Sequence, residues 1–120
     1  MWFRFRHWIK SYHAHMAKRH YQRKHFALCL HHLMRLKKWD SASLQQPIFA
    51  GYLAMCHYQL KDWSHLTEEV ERALFLLRRH VQGNNEALVL WEELKSHLAD
   101  LRFLDRSQLD VKKEMSDSRR

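Results

Sequence analysis

The chain has 120 residues, 46% hydrophobic and 28% charged, which is enough apolar material for one folded domain and excludes a disordered chain. Two glycines and one proline are too few for the many turns of a β-sandwich or barrel, and isolated Gly51 and Gly83 exclude a glycine-rich phosphate-binding loop. The net charge of +8 is concentrated in residues 1–39, which contain ten Lys or Arg and no Asp or Glu, so the chain should attract an anionic partner.

Apolar side chains return every three or four residues in five stretches, a spacing that places them on one face of a helix. We therefore predict an all-α fold of about five helices. Pro47 suits the first turn of the third helix, and Gly83 is expected to end the fourth. The predicted helices cover residues 3–22, 24–38, 47–61, 64–81 and 86–103.

The helices are expected to form one domain over residues 1–104, followed by a polar and flexible tail over 105–120. Cys29 and Cys56 lie in apolar stretches and are expected to be reduced core residues. No apolar run of about 18 residues and no export signal is present, so the expected location is cytoplasmic, or peripheral at the inner face of the membrane.

A short sequence is repeated at an offset of 37 residues: residues 16–26 read MAKRHYQRKHF and residues 53–63 read LAMCHYQLKDW. Both copies lie at the end of one predicted helix and enter the next helix at an aromatic residue. A period of 20 to 50 residues with this layout is typical of stacked helical hairpins. The identical pairs are Ala17 and Ala54, His20 and His57, Tyr21 and Tyr58, Gln22 and Gln59, and Lys24 and Lys61.

The repeat resembles the tetratricopeptide repeat (TPR), a pair of antiparallel helices in about 34 residues. Ala17 and Ala54 match the small residue that allows close helix approach in that family, and Phe26 and Trp63 match its aromatic wedge. The resemblance implies a short right-handed solenoid. It would contain hairpin 1 over about 3–38, hairpin 2 over about 47–81 and a capping helix over about 85–103.

The resemblance also implies a function, because TPR proteins bind partners along the concave surface formed by the first helix of each hairpin. We therefore expect a non-catalytic protein–protein interaction module, either an adaptor or a chaperone for a helical partner, with self-association as a further expectation. The alternative is that Tyr21 and Tyr58 are half-buried packing residues and do not contact a partner. The implied groove residues are His15, Lys18, Tyr21, Gln22, Tyr52, Met55, Tyr58 and Gln59.

The N-terminal segment alternates aromatic and basic side chains, and three interpretations remain open. It is the first core helix, it lies on an anionic membrane surface, or it stacks on single-stranded nucleic acid. The residues of this expected basic and aromatic surface are Trp2, Arg4, Arg6 and Lys10.

Eleven histidines raise the question of a metal or haem site. His25, Cys29 and His32 recur on one helical face with a spacing that suits zinc or copper, but no CxxC or HExxH pattern accompanies them. They remain weak candidates, and we expect no metal and no cofactor. No Ser or Cys has an evident catalytic base nearby in the sequence, so we expect no enzymatic activity.

Overall fold

The computed structural model describes residues 2–117, and the side chains of residues 4–104. Within that range every regular element is a helix and no strand occurs, which confirms the all-α prediction. A short 3-10 helix over Ser41–Gln45 connects the second helix to the third. The helices are α1 (Trp2–Gln22), α2 (Phe26–Trp39), α3 (Pro47–Gln59), α4 (Leu66–Leu77) and α5 (Asn85–Asp117).

The turns after α1 and α3 have the same geometry 37 residues apart. Lys24 and Lys61 both adopt the left-handed conformation, with φ of 60° and 59°. In the first turn the amide of His25 donates to the carbonyl of His20, 2.8 Å away. In the second, the amide of Asp62 donates to the carbonyl of His57 at 2.9 Å. This hydrogen bond closes a helix C-terminus and reverses the chain, so each repeated sequence encodes one turn.

The buried residues follow the same offset. Ala17 and Ala54 have no exposed surface, so α2 and α4 approach α1 and α3 closely at these positions. The second helix of each hairpin buries a stripe at three- and four-residue steps. On α2 and α4 these stripes are Cys29, Leu33 and Leu36, and Leu66, Val70 and Ala73.

The helices pack in chain order, α1 on α2, α2 on α3 and α3 on α4, and α5 lies against both α3 and α4. Gly51 on α3 permits the approach of α5, because a Cβ atom there would lie 3.2 Å from Leu90 Cδ1. Pro47 occupies the first turn of α3 as predicted. The Asn84 side chain accepts a hydrogen bond from the Ala87 amide at 3.2 Å and thereby caps α5.

Helix α5 is longer than the sequence predicted. It continues to Asp117, through most of the segment for which a flexible tail was expected, and residues 118–120 lie outside the described residues. The chain has neither glycine nor proline after Gly83, so no residue type forces the helix to end near 103. None of the helices within residues 2–117 is long and apolar enough to cross a bilayer.

Candidate partner-binding groove

A cavity of about 710 Å³ opens between the C-terminal end of α1 and the first half of α5. Helix α3 lies beneath it and contributes Met55 and Gln59. Its lining combines apolar side chains with amides and charged groups. The lining residues are Tyr21, Gln22, Lys24, Phe26, Met55, Gln59, Asn85, Glu86, Val89, Leu90, Glu93 and His97.

Two stacked tyrosines connect the walls of this groove. The ring of Tyr21 lies on that of Tyr52 with centroids 4.2 Å apart, and the Tyr52 hydroxyl donates to Glu86 on α5. Lys18 Nζ lies 3.7 Å from the other Glu86 carboxylate oxygen. Burial raises the pKa of Tyr21, with Glu93 contributing in the same direction, so its hydroxyl stays protonated at neutral pH. The stack and the carboxylate hold α1, α3 and α5 together around the cavity.

The structure brings four of the eight expected groove residues to the cavity: Tyr21, Gln22, Met55 and Gln59. The expectation that Tyr52 is exposed is wrong, because its ring is fully covered and supports Tyr21 from below. Met55 is also almost entirely buried, and only its edge reaches the floor.

The other three expected residues lie beside the cavity. Tyr58 is half-buried and stacks on His97 at a centroid distance of 3.8 Å, so it packs between α3 and α5. Lys18 is exposed and reaches the groove only through its ion pair with Glu86. His15 is exposed on α1 and does not line the cavity. Sequence spacing identified the correct helices but not which side of each helix is covered.

The wall formed by α5 was not predicted. Glu86, Val89, Glu93 and His97 line the groove, whereas the sequence had assigned this helix only a capping role. The signal for this wall was present in the spacing of the four residues, which recur at three- and four-residue steps on one helical face.

The N-terminal aromatic side chains are not part of the core. Phe5, Trp8 and Tyr12 are all exposed, so the core interpretation is wrong for them. Arg4 and Arg6 are exposed as expected, and Arg6 donates to the carbonyl of Trp39 at 2.8 Å. The two remaining residues of the predicted surface are Lys10, which pairs with Asp40 at 2.9 Å, and Trp2, whose side chain lies outside the described residues.

The candidate metal ligands do not converge. Within the side chains that the structure describes, no group of three or more His, Cys, Asp or Glu could hold a metal ion. Cys29 points into the core, where its thiol contacts that of Cys56, and both cysteines are free. A hydrogen bond from Cys29 and burial raise the pKa of the Cys56 thiol, which therefore stays protonated at neutral pH. His25 is exposed and His32 faces α1.

One interior contact differs between the two hairpins. In hairpin 2, His57 Nδ1 lies 2.8 Å from Glu69 Oε1, and this hydrogen bond raises the pKa of His57. At the equivalent place in hairpin 1, His20 stacks on His32 with centroids 5.5 Å apart. His32 Nδ1 also lies 3.0 Å from Nδ1 of His13.

We call His13, His20 and His32 the interior histidine cluster. Burial lowers the pKa of all three. Repulsion between basic side chains acts in the same direction on each, with Arg35 beside His13, Arg23 beside His20, and His13 and His20 beside His32. The cluster is therefore neutral when the protein is folded at neutral pH.

No protein-family model, curated protein or solved structure matches this chain. Its function is therefore inferred from the internal repeat and from the geometry of the groove.

Proposed function

We propose that the protein is a non-catalytic interaction module, a small TPR-like adaptor or chaperone that binds a peptide or a helix in the groove between α1 and α5. The single observation that carries this proposal is the cavity itself. Its lining combines apolar side chains with a few polar groups, and its volume of about 710 Å³ falls in the range of about 300–1,000 Å³ that is typical of ligand pockets.

The composition of the groove suits a polypeptide. Phe26, Met55 and Leu90 offer apolar contact for a side chain inserted from above. Gln22 and Gln59 lie at the rim, are exposed, and carry both donors and acceptors for a peptide backbone. A volume of this size accommodates a few side chains, which is one or two turns of a helix or a short extended segment.

The TPR-like interpretation is supported by the equivalence of the two hairpins. The repeated turns share their hydrogen bonds and left-handed residues. The aromatic pairs that follow the repeat are also equivalent: Tyr21 meets Phe26, and Tyr58 meets Trp63, each edge to face at 5.9 Å. In a TPR-like stack the first helices of equivalent hairpins, here α1 and α3, would share one side, and both helices contribute residues to the groove.

Charge would orient a partner in the groove, with an acidic segment next to Lys24 and a basic segment next to the α5 wall. Lys24, in the turn after α1, lines one end of the groove, and residues 1–39 carry no acidic side chain. The α5 wall contributes Glu86 and Glu93, so the groove has one basic and one acidic side. A bound helix or strand would therefore have a preferred direction.

The test is to obstruct the groove without unfolding the protein. Val89 is 52% exposed at the α5 wall, so Val89→Arg adds a long cation at the rim while disturbing little packing. Phe75→Arg on α4 is the matched control, because Phe75 is 57% exposed and lies away from the cavity. Peptides selected from a random displayed library against the wild type are then measured by fluorescence anisotropy.

We expect Val89→Arg to weaken the selected peptides by at least about tenfold, the equivalent of about 1.4 kcal/mol, and Phe75→Arg to leave them unchanged. Peptides that bind both variants and the wild type with equal affinity would contradict the groove assignment. Circular dichroism of both variants checks that their helix content is that of the wild type.

A further inference from the structure

Helix α1 has one face that is covered by the rest of the protein. Along this face Arg6 donates to the Trp39 carbonyl, His13 meets His32, and Ala17 is fully buried. These positions are seven and four residues apart, which places all three on one side of α1. α2 therefore packs against this side of α1.

A second face of α1 carries large exposed side chains, of which Tyr12 meets His32 of α2 edge to face at a centroid distance of 5.9 Å. Phe5, Trp8 and Tyr12 are 53%, 64% and 45% exposed, and Trp8 stacks on Tyr12 with centroids 6.0 Å apart. His15 and Arg19, both exposed, continue the same three- and four-residue spacing. We call these five residues the α1 outer stripe.

The electrostatic surroundings of the α1 outer stripe are positive. No carboxylate exists in residues 1–39, so none within this third of the chain opposes Arg19 or the exposed Arg4 beside the stripe. Among the described side chains, Asp40 pairs with Lys10 at 2.9 Å and Glu86 with Lys18 at 3.7 Å, and neither lysine belongs to the stripe. The stripe therefore combines exposed rings with an excess of cationic groups.

We propose that the α1 outer stripe binds the surface of an anionic lipid bilayer, with its rings at the boundary between headgroups and acyl chains. Trp and Tyr settle at this depth because the ring is apolar and its polar atom remains in water. Each Lys or Arg close to an anionic leaflet adds about fivefold to affinity, so Arg4 and Arg19 reinforce the contact. The helix lies along the surface and does not cross it.

The ring arrangement favours lipid over single-stranded nucleic acid. The planes of Trp8 and Tyr12 are inclined by only 17° with centroids 6.0 Å apart, so one face of each ring is turned towards the other ring. Bases stack on open ring faces, whereas insertion among headgroups requires only exposed apolar edges.

The lipid surface and the groove are separate sites. Tyr21, which lines the groove, lies nine residues after Tyr12. At 100° per residue this places the two side chains on opposite sides of α1. Failure of the peptide-binding proposal would therefore not affect the result expected with lipid, and a bound bilayer would leave the groove open.

The experiment is co-sedimentation of the full chain with large unilamellar vesicles. One set contains phosphatidylcholine alone, and the other contains ~30 mol% phosphatidylglycerol to supply the anionic charge that the stripe requires. We expect binding to the anionic vesicles that weakens at high salt, and at least about tenfold weaker binding to phosphatidylcholine.

Matched variants locate the contact. Trp8→Ser should weaken vesicle binding about tenfold and Arg19→Gln about fivefold. Trp63→Ser and Arg79→Gln remove a 53% exposed indole and an exposed guanidinium from hairpin 2, and should bind like the wild type. Since all four side chains are exposed, helix content measured by circular dichroism should be unchanged.

Three results would overturn the proposal. The first is equal binding to both kinds of vesicle, and the second is wild-type binding by Trp8→Ser. The third is preference for a single-stranded oligonucleotide over anionic vesicles at equal phosphate concentration, which would assign the α1 outer stripe to nucleic acid.

Discussion

The close approach of the helices within each hairpin predicts that a larger side chain at Ala17 or Ala54 destabilises the protein. Both residues have no exposed surface, and leucine adds three carbon atoms to a site that offers no opening to solvent. Overpacking of this kind costs about 1–3 kcal/mol of the free energy of unfolding. For a domain of this size, 1 kcal/mol corresponds to about 4 °C in Tm, so Ala17→Leu and Ala54→Leu should each lower Tm by about 4–12 °C.

The chain supplies its own controls for this substitution. Ala27 on α2 and Ala99 on α5 are exposed within helices, so Ala27→Leu and Ala99→Leu change the same side chain without entering the core. Urea denaturation and thermal melts followed by circular dichroism give the free energies and Tm values. If the Tm of Ala54→Leu equals that of the exposed controls, α4 does not approach α3 closely at Ala54, and the equivalence of the two hairpins is refuted.

Two further predictions concern pH and the turns. The free energy of unfolding should fall as the pH drops below 6.5, because burial lowers the pKa of the interior histidine cluster and the unfolded chain takes up protons first. The raised pKa of His57 would by itself increase stability at low pH, but the three histidines of the cluster outnumber it. Urea titrations at about pH 7.5 and about pH 5.5 measure the free energy of unfolding, and a larger value at the lower pH would contradict the argument. Lys24→Gly and Lys61→Gly should each stabilise the protein by about 1 kcal/mol, because glycine adopts a φ near 60° without steric cost; thermal melts provide the check, and an unchanged or lower Tm for both variants would count against it.

The sequence predicted the features that depend on local rules. The spacing of apolar residues located all five helices, and the internal repeat marked two turns that prove to have the same hydrogen bonds. Proline at the first turn of α3 and asparagine before α5 act as their positions indicate. Each of these features is fixed within a few residues of the chain, so no knowledge of distant contacts was needed.

The features that depend on distant contacts were not predictable in the same way. Tyr52 and Tyr12 both lie on faces that the sequence marked as significant, yet one is buried and the other exposed. The difference is that Tyr21 and Glu86 cover Tyr52, whereas Tyr12 meets His32 of α2 edge to face and remains 45% exposed. Periodicity identifies a face of a helix, and only the packing of other helices determines whether that face is covered.

The contact between His57 and Glu69 illustrates the same difference. These residues are 12 positions apart on separate helices, and their pairing requires the turn between them to reverse the chain. The sequence contained the equivalent pair His20 and His32 at the same separation, so the repeat could have indicated both contacts. The repeat alone could not indicate that the pKa of His57 is raised while those of His20 and His32 are lowered, because both shifts depend on which side chains touch.

The length of α5 gives the molecule a reach that its small mass does not suggest. Thirty-three residues at about 1.5 Å each form a rod of about 50 Å, within a longest dimension of 70 Å. Between Phe103 and Asp117 this rod advances about 20 Å. A fluorophore or fused domain attached near Asp117 would stand clear of the peptide groove, which makes this end the suitable point for labelling or surface immobilisation.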